Sequence, residues 1–152
     1  MNKKKLIRKQ LDASLQRFSP LLDVTVPPKG WIRAIRDALG MTAKQLANCL
    51  GVAQQAVARI EKEELAGSVT IKTMRRIAER LDCVFVYGFV PRTSLEETVT
   101  RQAKQVALMR LARASQTMSL ENQALSRREN EEALTDLVDE LIRAPSSTLW
   151  NK

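Results

Sequence analysis

Gln54, Gln55, Ala58, Arg59 and Lys62 form the most chemically pointed cluster in this chain. At helical spacing, residues 55, 58, 59 and 62 lie on one face, and Val57 and Ile60 fall on the opposite one. A glutamine amide offers a donor beside an acceptor, and a guanidinium offers a fork of donors. Those groups match base edges in a DNA major groove: glutamine pairs bidentately with adenine N6/N7, arginine with guanine O6/N7, and an alanine methyl meets a thymine methyl. Lys62 adds a charge for phosphate. The alternative is an ordinary solvated polar face, which needs no ligand at all.

Such a face is useful only if it is held rigidly, and the flanking sequence supplies the means. Thr42-Ala-Lys-Gln45 is a capping box that opens one helix, and Gly51 closes it where a tight turn needs a positive φ. A second helix runs from about Gln54 to Glu64. Leu46, Ala47 and Leu50 form the inner face of the first helix, with Ala47 small where two helices must cross, and Val57 and Ile60 form that of the second. Helix, turn, helix at 43–62 therefore predicts that Gln54 and Gln55 reach bases from the N-terminal end of the second helix. Thr42, Lys44 and Gln45, at the start of the first, then lie over backbone phosphates.

Around this centre the periodicity predicts helices at Lys3–Phe18, Trp31–Leu39 and Ile71–Leu81. The run CVFVYGFV at 83–90 reads as a strand, apolar on both faces. A lone strand cannot satisfy its backbone, so it must pair with Val24–Val26, with its twin in a second subunit, or with both. The twin is favoured, because a homodimer also gives the two-fold symmetry with which helix-turn-helix proteins read palindromes. In the C-terminal third, Ser94-Leu-Glu-Glu97 opens a helix to about Ser115, and a further helix from about Ser119 carries Leu134, Leu137, Val138, Leu141 and Ile142 as a stripe. These helices are expected to dock against the N-terminal helix or a second subunit.

Composition narrows the function classes. The formal charge is +8, and its distribution is uneven: residues 1–30 hold seven basic and two acidic side chains, 31–90 nine and six, and 91–152 nine of each. The surplus thus lies in the first ninety residues, which suits a polyanionic partner such as double-stranded DNA. There is no histidine, and only Cys49 and Cys83, far apart, so zinc spacings and a disulfide framework are excluded. No phosphate-binding loop, dinucleotide fingerprint or nucleophile elbow occurs. The expectation is a protein without catalytic residues, metal or cofactor. No apolar run approaches the roughly 20 residues of a membrane span, and no signal-peptide core is present, so the chain is expected to be cytoplasmic with no membrane partner.

TAKQLANCLGVAQQAVARIEK resembles the helix-turn-helix of the phage-repressor-like (XRE) class, over about residues 31–82. Ala53 replaces the usual Ser or Thr N-cap of the second helix, at a cost of about 1 kcal/mol, and Ala43 stands where such proteins often carry a phosphate-binding glutamine. GWIRAIRDALGMTAKQLA, ARIEKEELAGSVTIKTMRRIAERLDC, VPRTSLEETV and TMSLENQAL together resemble the mobile mystery protein A family. That resemblance implies a helix-turn-helix transcriptional regulator carried on a mobile element, an autorepressor and the antitoxin-like partner of a Fic-domain protein. Thr117-Met-Ser-Leu-Glu121-Asn122 also resembles the inhibitory helix of Fic regulators, which implies that Glu121 blocks the γ-phosphate site of the partner with Thr117 and Asn122 in support. A carboxylate competing with phosphate for a guanidinium is sound chemistry. On the alternative reading the chain is chiefly an interaction module that inhibits a Fic adenylyltransferase.

The expected architecture is mainly α: a phage-repressor-like helix-turn-helix bundle, one short β-strand element at 83–90 used in dimer pairing, and flanking N- and C-terminal helices. The expected partition is 1–28 as a basic helix and linker, 29–82 as the DNA-binding domain, 83–91 as the strand, and 92–152 as a helical extension for dimer or partner contacts.

Overall fold

The computed structural model describes residues 3–120, 126–144 and 147–151. The described chain is helical: α1 Lys3–Leu15, a 3-10 stretch Gln16–Asp23, α2 Trp31–Ala38, α3 Ala43–Leu50, α4 Gln54–Ala66, α5 Ile71–Arg80, α6 Leu95–Leu120, α7 Arg127–Arg143 and the single turn α8 Ser147–Trp150. None of these helices is long and apolar enough to cross a membrane. The chain divides into two compact units, one at 20–88 and the other made of 1–19 with 89–152.

In the 20–88 unit, α2 to α5 close over Ile32, Leu46, Ala47, Leu50, Val57, Ile77 and Leu81, with Ile35, Met41, Val52, Ile60 and Met74 packed around them. The inner faces anticipated for α3 and α4 are the ones buried, Leu46 completely. Both expected local devices are present. Thr42 accepts from the Gln45 N–H at 3.2 Å while the Gln45 side chain accepts from the Thr42 N–H at 2.8 Å. Gly51 has φ 69, which lets the Val52 N–H turn back onto the Ala47 carbonyl at 3.0 Å.

In the other unit, α7 folds back along α6 around Ala103, Val106, Ala107 and Leu141, and Leu149 of α8 completes the cluster. The small residues Ala103 and Ala107 on α6 admit the leucine-rich stripe of α7. α1 holds the start of α6. Asp12 accepts from the Leu95 and Glu96 N–H groups at 2.8 and 3.4 Å, and Arg8 Nε lies 2.6 Å from the Glu96 carboxylate. The sequence left two partners open for the C-terminal helices, the N-terminal helix or a second subunit; α6 packs against the first. The break between the last long helices falls later than expected. α6 continues to Leu120, and α7 starts at a capping box of Ser126 with Glu129.

The expected strand requires correction. Among the described residues there is no strand, and 83–90 runs without ladder hydrogen bonds. Val24–Val26, its one candidate partner within the chain, is likewise unpaired as a strand. High β-propensity produces a strand only when an edge is available, and the described residues of the single chain offer none.

Candidate nucleic-acid interface

Every residue of the expected contact set is exposed: Thr42, Lys44 and Gln45 at the start of α3, and Gln54, Gln55, Ala58, Arg59 and Lys62 along α4. The structure gives α4 one apolar inner side and one outward polar side, as the 3.6-residue period requires. Two details refine the surface. Arg59 Nε lies 3.5 Å from Glu63, and both side chains are open to water, so releasing Arg59 toward a base costs about 0.3–0.5 kcal/mol. The Gln45 carbonyl oxygen is committed to its own helix cap, which leaves the amide NH2 group to reach a phosphate. Ala53 offers no side-chain cap to the first N–H groups of α4; its backbone carbonyl accepts the Ala56 N–H at 3.0 Å.

What fixes α4 in place is a set of charges that the sequence reading passed over. Glu61 lies on the inner side of α4, and its carboxylate receives Arg36 Nε at 2.8 Å and Nη2 at 3.4 Å. The same guanidinium donates from Nη1 to the Met41 carbonyl at 2.9 Å and meets Asp37 at 2.8 Å. The hydrogen bond that Arg36 donates to Glu61 holds its guanidinium above the ordinary pKa, so Arg36 stays charged. One turn further, Glu64 caps α2: its two oxygens accept the Trp31 N–H at 2.7 Å and the Ile32 N–H at 3.1 Å. A carboxylate there also favours the positive end of the α2 dipole. Gly30 makes room, because at φ 82 a Cβ would stand 2.8 Å from the Glu64 oxygen. Finally, the Arg76 guanidinium of α5 donates to the Leu50 carbonyl at the end of α3.

A usable signal for Glu61 and Glu64 existed. Val57, Ile60, Glu61 and Glu64 are spaced i, i+3, i+4, i+7, so both acids sit on the stripe that has to face the core. An acid on such a stripe demands a partner, and the basic Arg36 of α2 is one.

Thr117 is exposed near the end of α6, its hydroxyl donating to the Arg113 carbonyl at 3.1 Å. Glu121 and Asn122 lie outside the described residues, so the expected inhibitory trio is placed only at its first member. Among the described residues no group of three or more acidic or cysteine side chains is arranged to hold a metal.

Comparison with known families agrees with this geometry: residues 32–85 match the helix-turn-helix family model. These residues form a helix-turn-helix domain of the XRE type, the domain of a DNA-binding regulator. No curated protein and no solved structure matches the chain.

Proposed function

We propose that this chain is a sequence-specific operator-binding regulator, an autorepressor, that inserts α4 into the major groove. One observation carries the reading: α4 presents Gln54, Gln55, Ala58, Arg59 and Lys62 outward while Glu61 and Glu64 anchor its opposite side. Arg59 and the glutamines read base edges, whereas Lys62, Lys44, Thr42 and Gln45 hold phosphates and set the register. The test is footprinting on operators selected from random DNA. Arg59→Ala should cost about 1–3 kcal/mol of specific affinity and relax the preference at one base pair, and Lys62→Ala should weaken all sequences alike. A footprint and base preference untouched by Arg59→Ala would remove α4 as the reading element.

The resemblance to the mobile mystery protein A family adds a second role, as an antitoxin-like partner of a Fic-domain protein, with Thr117, Glu121 and Asn122 as the inhibitory segment. Thr117 is solvent-exposed, as a residue on a contact surface must be. Co-expression with a Fic-domain protein encoded beside this chain tests it: adenylyl transfer silent with wild type and restored by Glu121→Ala supports inhibition. Transfer indifferent to that substitution leaves the chain a regulator of DNA alone.

A further inference from the structure

The helix-turn-helix unit keeps one large apolar groove open. It holds about 520 Å³, and Leu21, Val24, Val26, Val84, Phe85 and Val86 are among the residues that line it. Val84 and Val86 are 86% and 65% exposed, an unusual place for β-branched side chains in a run of this kind. The backbone is open as well. Cys83 N–H still returns to the Ala78 carbonyl at 2.8 Å, but among the described residues 84–88 make no backbone hydrogen bond.

Those two features together select the occupant. A small ligand is normally oriented by a few convergent polar side chains, and the walls of this groove carry none with a charge. An unsatisfied extended backbone, in contrast, is completed by another extended chain, which supplies donors and acceptors at strand spacing. We infer that the occupant is a second copy of this chain, with residues 84–88 of two protomers paired antiparallel about a two-fold axis at Val86.

That register follows from the side chains. Centring on Val86 sets Phe85 of each protomer across from the partner's Tyr87, giving two aromatic cross-strand pairs. It also sets Val84 across from the partner's Gly88, where no side chain obstructs. The rings are already organised for this role: Phe85 and Tyr87 stack at 6.2 Å, and Arg75 lies 5.8 Å from the Tyr87 centroid. The contact is isologous and therefore closes at two copies. It stands apart from the DNA reading; where both hold, the axis relates two α4 helices and demands a palindromic operator.

The test is sedimentation equilibrium of the full chain without DNA. Wild type should run as two copies of the 17.1 kDa chain. Val86→Asp places two carboxylates together on the axis and should raise the dimer dissociation constant roughly 30-fold or more. Because Val86 is exposed in the single chain, the helical circular dichroism should not change. Val86→Cys in a Cys49→Ala, Cys83→Ala background should oxidise to a disulfide-linked dimer, since only an axial residue meets its own copy. A wild-type monomer at about 100 μM, a concentration that populates any dimer with a micromolar constant, overturns the inference, as does a Val86→Asp dimer of unchanged strength. Loss of the dimer on Val86→Asp without cross-linking of Val86→Cys overturns the register at Val86.

Discussion

Replacing Glu61 by alanine strands a guanidinium in the core of the helix-turn-helix unit, and the size of the loss can be worked from the geometry. The Arg36 and Glu61 side chains are only 9% and 11% exposed, so neither charge is well hydrated once its partner has gone. Breaking a buried pair by removing one member costs about 3–5 kcal/mol, most of it from the uncompensated charge left behind. Arg36 retains Met41 and Asp37 through Nη1 and loses only the contacts of Nε and Nη2, which puts Glu61→Ala near the lower end, about 3 kcal/mol. Replacing both members, Arg36→Met with Glu61→Leu, removes the desolvated charges together and should cost about 1 kcal/mol or less. Urea unfolding followed by tryptophan fluorescence measures this. A Trp150→Phe background leaves Trp31, which lies in the 20–88 unit, as the sole reporter. A Glu61→Ala cost below about 1 kcal/mol, or a double variant as damaged as the single one, would refute the argument that the buried charge dominates.

Other expectations follow from the same contacts. Ala53→Ser supplies the missing N-cap of α4 and should raise the stability of the 20–88 unit by about 1 kcal/mol, read in the same unfolding assay. Asp12→Ala leaves the Leu95 and Glu96 N–H groups without their acceptor and should cost about 1–2 kcal/mol, seen as faster hydrogen exchange at those two amides. The α7 cap should respond to acid. Hydrogen bonds from the Ser126 hydroxyl and N–H hold the Glu129 carboxyl below the ordinary glutamate value of 4.5, so its contribution is complete above that pH and is lost as pH falls through the lower, folded-state value. Carboxyl NMR titration of Glu129 should move up toward the ordinary value in Ser126→Ala, which removes the hydroxyl and keeps the backbone N–H donor.

Local chemistry made a large part of this protein legible in its sequence. The capping box at Thr42, the glycine turn at 51 and the inner stripes of α3 and α4 are written in residue type and 3.6-residue spacing, and the structure has all three. The outward face of α4 was legible for the same reason, since fixing the inner face of a helix fixes the outer one. Other features depend on what lies across the chain. That Glu61 meets Arg36 and Glu64 meets the N–H groups of α2 is decided by the packing of α2 against α4, even though the stripe of α4 already held both acids inward. Asp12 joins the start of α6 across 83 residues of sequence, a pairing no local pattern encodes. The sharpest division is at 83–90. Its residues have the propensity of a strand, yet no strand forms there, because a ladder needs a second edge and the described residues of the single chain supply none. Propensity and period belong to the sequence; the partner for each inward charge and each open backbone edge belongs to the tertiary structure, because only folding decides which distant groups come within hydrogen-bond reach.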